Sequence, residues 1–437
     1  MSIYGNSVKT HIVDAHYNRA NFRSEFRLEP DTLYYSSFRL ANLGVEATTG
    51  GKAYNTLIGT YGTIKQISLY DENQLLDQLV EFGRFMSFKQ YNKKNTINMD
   101  MSTNLVKNGA GSFWGGVDNA NGTGSKIAAW TPRMSTTGKI GDKINNSQGW
   151  LDLKECLPIL KSLRTINTSV FKNLKIVIEY SNDLDDYMNA TDDTATVTFE
   201  PIMIVDEIIG QREKEILGKF ESIQYVSIEH DYVQVPKVDN VNATNPNPTQ
   251  KTTLRLGGFN NKICGKMMIA KSPTLLSNYK KDAANFRNGK WASFTNNKEV
   301  LQMRINGTSK ISGNGIDRDN QRLAMLNDVW GVSSAYPFSN SEAYIAPDDE
   351  NRSVYIHQGS KDIGSLDFYG LMVNELVQDL QIDFQRNGLY SLTATSGNDP
   401  ATTDISPYNQ AIDMYVFCEV FKEIVPDGNG SYAVNYL

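Results

Sequence analysis

The chain has 437 residues, 40% of them hydrophobic and 21% charged, with a formal net charge of -6, three cysteines and four histidines. Such a length suggests about two to three domains, and the composition excludes a disordered chain or a small disulfide-stapled one. The acidic balance argues against a main task of gripping a polyphosphate, because that affinity comes from clustered Lys and Arg releasing counterions.

Met1 to Glu25 is polar and lacks the apolar core of a secretory signal, so it reads as an N-terminal arm carrying His11 and His16. Short runs of alternating apolar and polar residues then recur, at Leu33 to Leu40 and Gly62 to Tyr70 first. This is the period of half-buried strands. Asp71-Glu72-Asn73-Gln74 has the spacing of a capping box, and Leu75, Leu76, Leu79, Val80 and Met86 fit one helical face, so a helix is expected from Asp71. Asn108 to Ser125 is a turn-rich stretch; its glycines lack the Gly-Lys-Ser/Thr that a phosphate cradle needs. Phe113 and Trp114 in it serve either to anchor the loop or to contact a neighbour. Trp150 to Leu163 reads as a short amphipathic turn or helix leading into the strand Leu174 to Tyr180.

Further strands are expected at Ala195 to Phe199, Ile223 to Val235, Thr252 to Leu256, Val300 to Ile305, Leu380 to Phe384 and Ile412 to Val420. The richest apolar run, Ile202 to Val205, is cut by Asp206 and Glu207, so no stretch approaches a membrane span. Asp319 marks the start of a second helix carrying Leu323, Leu326 and Trp330, with Gly331 as its stop. Asparagine, about a tenth of the chain, supplies turns between these elements. Many short strands divided by Pro-, Asn- and Gly-rich segments indicate a β-sandwich or barrel.

The search for chemistry returns little. Cys156, Cys264 and Cys418 have no metal or redox spacing, which fits a reducing compartment. His230 sits in an expected strand and His357 follows Tyr355-Ile356, and no histidine pair has ligand spacing. The acidic groups Asp183, Asp185, Asp186, Asp192 and Asp193, then Asp317 and Asp319, then Asp348, Asp349 and Glu350 lack the EF-hand pattern and read as solvated loops. Asn-x-Ser/Thr sequons at Asn167, Asn189, Asn242 and Asn306 are what this composition yields by chance. No catalytic residue, cofactor-binding residue or metal ligand is assigned, and the chain is read as a binding or assembly protein, not an enzyme.

An internal duplication is visible. Leu174 to Ile178 lines up with Leu380 to Phe384, and Phe199 to Ile209 lines up with Tyr415 to Val425, pairing Ile204 with Val420 and Glu207 with Glu423. Trp150 to Leu163 precedes the first pair and Leu366 to Leu376 the second, each expected as a turn or short helix. The charged connector Gly210 to Glu215 falls near the midpoint. The expectation is all-β: two tandem eight-stranded jelly rolls with a few short helices in loops, an arm at 1–25, the first roll at 26–212 and the second, with a short C-terminal tail, at 213–437.

Several of these segments resemble one family, the double jelly-roll major capsid proteins of icosahedral DNA viruses, of the polinton-like virus and virophage type. Gly62 to Tyr70 with the helix expected from Asp71 resembles an early strand of the first roll and its following helix. Leu157-Pro158-Ile159-Leu160 through Asn182, and Leu366 through Asn387, are similar to the late pieces of each roll. Val416 to Val425, a Gly-containing turn and Tyr432 to Leu437 are similar to the family's closing strand and tail. The resemblance implies a structural protein of the virion shell, made as a soluble intracellular chain. It implies a homotrimer forming a pseudo-hexagonal capsomer, capsomer-capsomer contacts, minor capsid and penton proteins as partners, an internal membrane as a further one, and no cofactor or specific nucleic acid. The arm would point inward, and the loops Asn108 to Asn146 and Trp330 to Glu350 would form the outer rim. The alternative reading is a carbohydrate- or calcium-binding fibre or adhesin that uses Trp114 or the Asp183 to Asp193 loop. A glycan-processing enzyme on two jelly rolls is a third class, since fold does not determine function.

Overall fold

The structure is a computed structural model that describes residues 8–19, 22–41, 46–47, 63–91, 151–181, 197–198, 200–217, 222–242, 244–273, 299–330, 368–388, 411–427 and 431–437. The described residues form two compact units, one drawn from Met1–Gln90, Ile97–Glu229 and Val420–Leu437, the other from Tyr91–Thr96 and His230–Glu419.

The first half of the chain forms β1 (Val8–Asp14), β2 (Tyr17–Arg19), β3 (Arg23–Arg27), β4 (Leu33–Tyr35), β5 (Arg39–Ala41), β6 (Glu46–Ala47), β7 (Ile64–Asp71) and β8 (Gln74–Val80). Helix α1 (Phe82–Tyr91) follows, then β9 (Leu151–Asp152), α2 (Ile159–Ser162), β10 (Thr165–Asn167), β11 (Leu174–Tyr180), β12 (Val197–Thr198), β13 (Ile202–Ile208) and α3 (Gln211–Leu217). One sheet runs β10-β4-β13-β5-β9 with β1 on the other side of β13; a second runs β2-β3-β11-β7-β8, and β12 pairs with β6. β4 and β5 are two pieces of one interrupted strand, as are β9 and β10. Joined, the sheets read β1, β13, β4/β5, β9/β10 and β3, β11, β7, β8. This is the two-sheet order of a jelly roll.

The second half forms β14 (Ile223–Val235), β15 (Thr249–Arg255), β16 (Lys262–Pro273), β17 (Val300–Ile305), β18 (Thr308–Ser309), α4 (Asp319–Trp330), β19 (Phe368–Val377), β20 (Leu380–Asn387), β21 (Ile412–Pro426) and β22 (Tyr432–Tyr436). Its sheets are β14-β21-β16-β19, with β22 added on β21, and β15-β20-β17-β18. Strand for strand this is the first order again, with β14 in the place of β1, β21 of β13 and β20 of β11. The register carries the equivalence to single residues. Leu28 N donates to Leu174 O as Leu256 N donates to Leu380 O, and Glu72 N donates to Asn173 O as Asn306 N donates to Asp379 O. The duplication expected from Leu174 to Ile178 and Leu380 to Phe384 is thus the same central strand in two rolls.

Alternation buries one face of the central strands. Phe26, Leu69, Ile176, Ile178, Met203 and Val205 are closed off from solvent in the first roll, and Met267, Leu301, Met303, Leu371, Ile382 and Val416 in the second. Burial of this kind, at about 25 cal/mol per Å² of apolar surface, is the main stabilising contribution.

Two local expectations are corrected. No helix begins at Asp71: residues 72–73 turn the chain, and 74–80 pair with β7 as a hairpin. Tyr70 faces Leu75 but Leu69 faces Asp77, so Leu76 is an extra, bulged residue. The bulge shifts the strand's phase, and Leu75, Leu76, Leu79 and Val80 acquire a spacing that also suits a helix. The helix proper starts at Phe82, after Glu81 takes a positive φ of 53°. In the second half Phe368 to Val377 is one continuous strand instead of a turn or helix; its first-half counterpart is broken after Asp152, whose carboxylate accepts from the Lys154 amide to open a 3-10 turn at Leu153–Glu155, and Pro158 then leads into α2. Within the segment 8–19, β1 pairs with β13 over its whole length and β2 with β3. The second expected helix, from Asp319 to Trp330, is α4.

Candidate functional site

Each roll has two unlike ends. In the first, Leu174 lies opposite Asp71 and Lys175 opposite Arg27, so β3, β7 and β11 share an end. The connections there are short: 28–32, 72–73 and 168–173. In the second, Leu380 lies opposite Ile305 and Gln381 opposite Arg255, and the connections are 256–261, 306–307 and 378–379. The long connections, after β5, α1, β11, β16, α4 and β20, all leave from the opposite end. Loops carried on a rigid scaffold are where recognition is usually built. That end is the candidate functional surface of each roll.

The second roll supports this end with buried charge. Lys271 lies near the end of β16, Glu299 precedes β17 and Tyr369 is the second residue of β19, each at the root of a long connection, and Arg322 joins them from the first turn of α4. Lys271 Nζ is 2.6 Å from Glu299 Oε2, and Arg322 is 3.6 Å from the same oxygen. The Tyr369 hydroxyl donates to Glu299 Oε2 at 3.0 Å and accepts from Arg322 at 3.2 Å, and both cations also lie over the Tyr369 ring. Burial, with Glu299 beside it, holds the Tyr369 phenol well above its ordinary pKa. At the same end, buried Arg386 donates to Pro236 O at 2.6 Å and to Gln250 Oε1 at 3.3 Å, fastening the connection between β14 and β15. Burial lowers its pKa to about 10. Taking ionised groups out of water is costly unless they are paired, so these groups fix geometry more than they add stability.

Sequence reasoning missed this cluster. Its members lie far apart in the chain; the one available signal was a charge abutting an apolar run, Lys271 after Met267 to Ala270 and Glu299 before Val300.

The residues singled out from sequence do not converge. His11 Nε2 is 2.8 Å from Glu207 Oε2 across the β1–β13 ladder, His16 is exposed, and His230 packs beside the rings of Phe417 and Tyr415. Asp317 lines a shallow surface depression with Ser312, Asn314, Arg318 and Gln321. His357, Trp114, the Asp183 to Asp193 group, Asp348 to Glu350, and most of the two loops expected at the outer rim lie outside the described residues. Among the described residues no group of three metal-ligating side chains occurs, and no helix is long and apolar enough to cross a membrane.

Neither a family model nor a curated protein matches the sequence. Solved structures do match over the full length. PBCV-1 VP54, fitted into a reconstruction of the virophage Sputnik, superposes with a TM-score of 0.56 at 8% identity, covering 100% of this chain and 98% of that one. The mavirus major capsid protein gives 0.52 at 10% identity, covering 98% and 90%. The PBCV-1 capsid quasi-atomic model gives 0.53 at 9% identity, covering 100% and 98%.

Proposed function

The chain has the double jelly-roll fold of viral major capsid proteins, and from that premise we propose that it is itself a major capsid protein that trimerises into pseudo-hexagonal capsomers tiling an icosahedral shell. The observation that carries the reading is the repetition of one strand order twice in a single chain. Three copies then present six alike modules, so a threefold assembly approximates sixfold symmetry and packs in a hexagonal lattice. Closed point-group symmetry is the usual state of such oligomers.

The unlike ends of each roll suit a shell subunit. Short connections close one end, and chain length added at the other leaves the sheets unchanged. Many modest contacts per subunit suffice, because each bond formed raises the effective concentration for the next. Partners under this reading are further copies of the chain, minor capsid and penton proteins, and an internal membrane.

Negative-stain electron microscopy of the concentrated protein tests it. Hexagonal plates or closed particles are expected. Fields of single, unassociated molecules or rods would contradict it.

A further inference from the structure

Within the first unit lies a second buried polar group that the capsid reading does not use. Asp77 on β8 is fully buried, and both its oxygens accept. Oδ1 takes the Ser227 hydroxyl at 2.7 Å and the Gln78 amide at 3.0 Å, and Oδ2 takes the Ile159 amide at 3.1 Å. The Lys422 ammonium donates to the same Ser227 oxygen at 3.4 Å and lies 3.0 Å from Glu229. The titratable groups set against Asp77 are Lys422 from β21 and Tyr225 from β14, with Glu229 from β14 and Tyr436 from β22, whose hydroxyl bonds Glu229, next to them; β7 and α2 present Leu69 and the Ile159 amide. Both phenols are raised above their ordinary value, Tyr225 by burial and Tyr436 by partial burial and the Glu229 carboxylate, so both are neutral around pH 7.

The charge count decides the behaviour. Lys422 pairs directly with Glu229 and meets Asp77 through the Ser227 hydroxyl, and the side chains of Lys422 and Glu229 are only 9% and 15% exposed. With both acids ionised the pocket keeps one uncompensated negative charge; a proton on Asp77 cancels it. We infer that Asp77 is an ionisation-controlled pin, fastening the start of β14 and the end of β21 to the β7–β8 hairpin when neutral and holding them more loosely when charged. Ser227 makes both states bondable, since its hydroxyl can donate to the carboxylate or turn and accept from the carboxylic acid. The proton comes from solvent and returns to it, and no covalent bond changes.

Burial, outweighing the bonds from Ser227 and Ile159 and the charge of Lys422, raises the Asp77 pKa from 3.8 to about 6. The folded chain therefore binds more protons than the unfolded one between these values, so this group's contribution is complete below pH 3.8 and is lost as pH rises through about 6. The inference does not depend on the capsid reading, because it concerns bonds inside one chain.

Hydrogen exchange of the full-length protein, read by mass spectrometry and corrected for the intrinsic pH dependence, tests the pin. In the wild type, protection of 222–229 and 420–426 should rise about tenfold or more from pH 7.5 to pH 5. Asp77→Asn should show the acid-state protection at both values. Glu229→Gln leaves Lys422 to Asp77 alone and should move the wild-type midpoint down by about one pH unit; it serves as the test should the Asn variant not fold. A wild type with no pH-dependent change in these segments, an Asn variant that keeps the wild-type pH profile, or an unmoved midpoint in Glu229→Gln would overturn the inference.

Discussion

Glu299 lies between two cations, Lys271 at 2.6 Å and Arg322 at 3.6 Å, whereas Asp77 meets Lys422 through the Ser227 hydroxyl while Lys422 pairs with Glu229. Both carboxyl groups have been removed from water, so what differs is the compensation. Loss of Glu299 would strand two buried cations, and the penalty for an uncompensated buried charge exceeds the net worth of the pair it belonged to. Glu299→Ala should therefore destabilise the second unit by about 3–5 kcal/mol, measured by thermal unfolding of the whole chain. An unchanged transition would mean that this cluster does not hold the roots of the long connections. Asp77→Asn should act in the other direction above pH 6, because it removes a charge that the fold tolerates poorly.

The two hairpins that close the short end of each roll are built on one backbone shape with different side chains. Glu72 and Asn306 occupy equivalent positions and both have positive φ, 51° and 52°. Glutamate gains nothing there, while Asn306 is integrated: its Oδ1 accepts from the amides of Gln378 and Asp379 at 2.8 and 3.1 Å, and its Nδ2 donates to Leu376 O at 2.9 Å. Glu72→Gly should raise stability by about 0.5–1 kcal/mol by relieving the left-handed backbone. Asn306→Gly has the same backbone freedom but should lower it by about 1 kcal/mol, because three hydrogen bonds to the neighbouring connection are lost. Chemical denaturation of the two variants separates the cases; equal effects would show that backbone shape alone matters. The same hairpins show what was legible in the sequence. Strands with clean alternation, such as Leu174 to Tyr180 and Val300 to Ile305, could be read directly, as could helix α4 from its apolar face and its Asp319 start. The hairpin at Asp71 could not, because the bulge at Leu76 gives a strand the spacing of a helix. Nor could β1 and β2, whose exposed polar residues carry little periodicity and which become strands through pairing with β13 and β3. The buried ion clusters were invisible for a related reason: Lys271, Glu299, Arg322 and Tyr369 meet only after the sheets have formed.

At the scale of the whole molecule, one strand order occurs twice. Two rolls with one strand order have closely similar hydrogen-bond registers, each with a short-connection end and a long-connection end. Their sequence likeness survives mainly in the central strands, where Leu174 and Leu380 begin the same ladder position, and has faded in the connections, where length differs freely. A duplicated module inside one chain is an economical route to near-hexagonal packing from a threefold complex. Size-exclusion chromatography with light scattering on the purified chain tests that claim most directly. The account predicts a species of about 147 kDa, three times the 48.9 kDa of the chain, persisting on dilution; a 48.9 kDa monomer across a wide concentration range would contradict it.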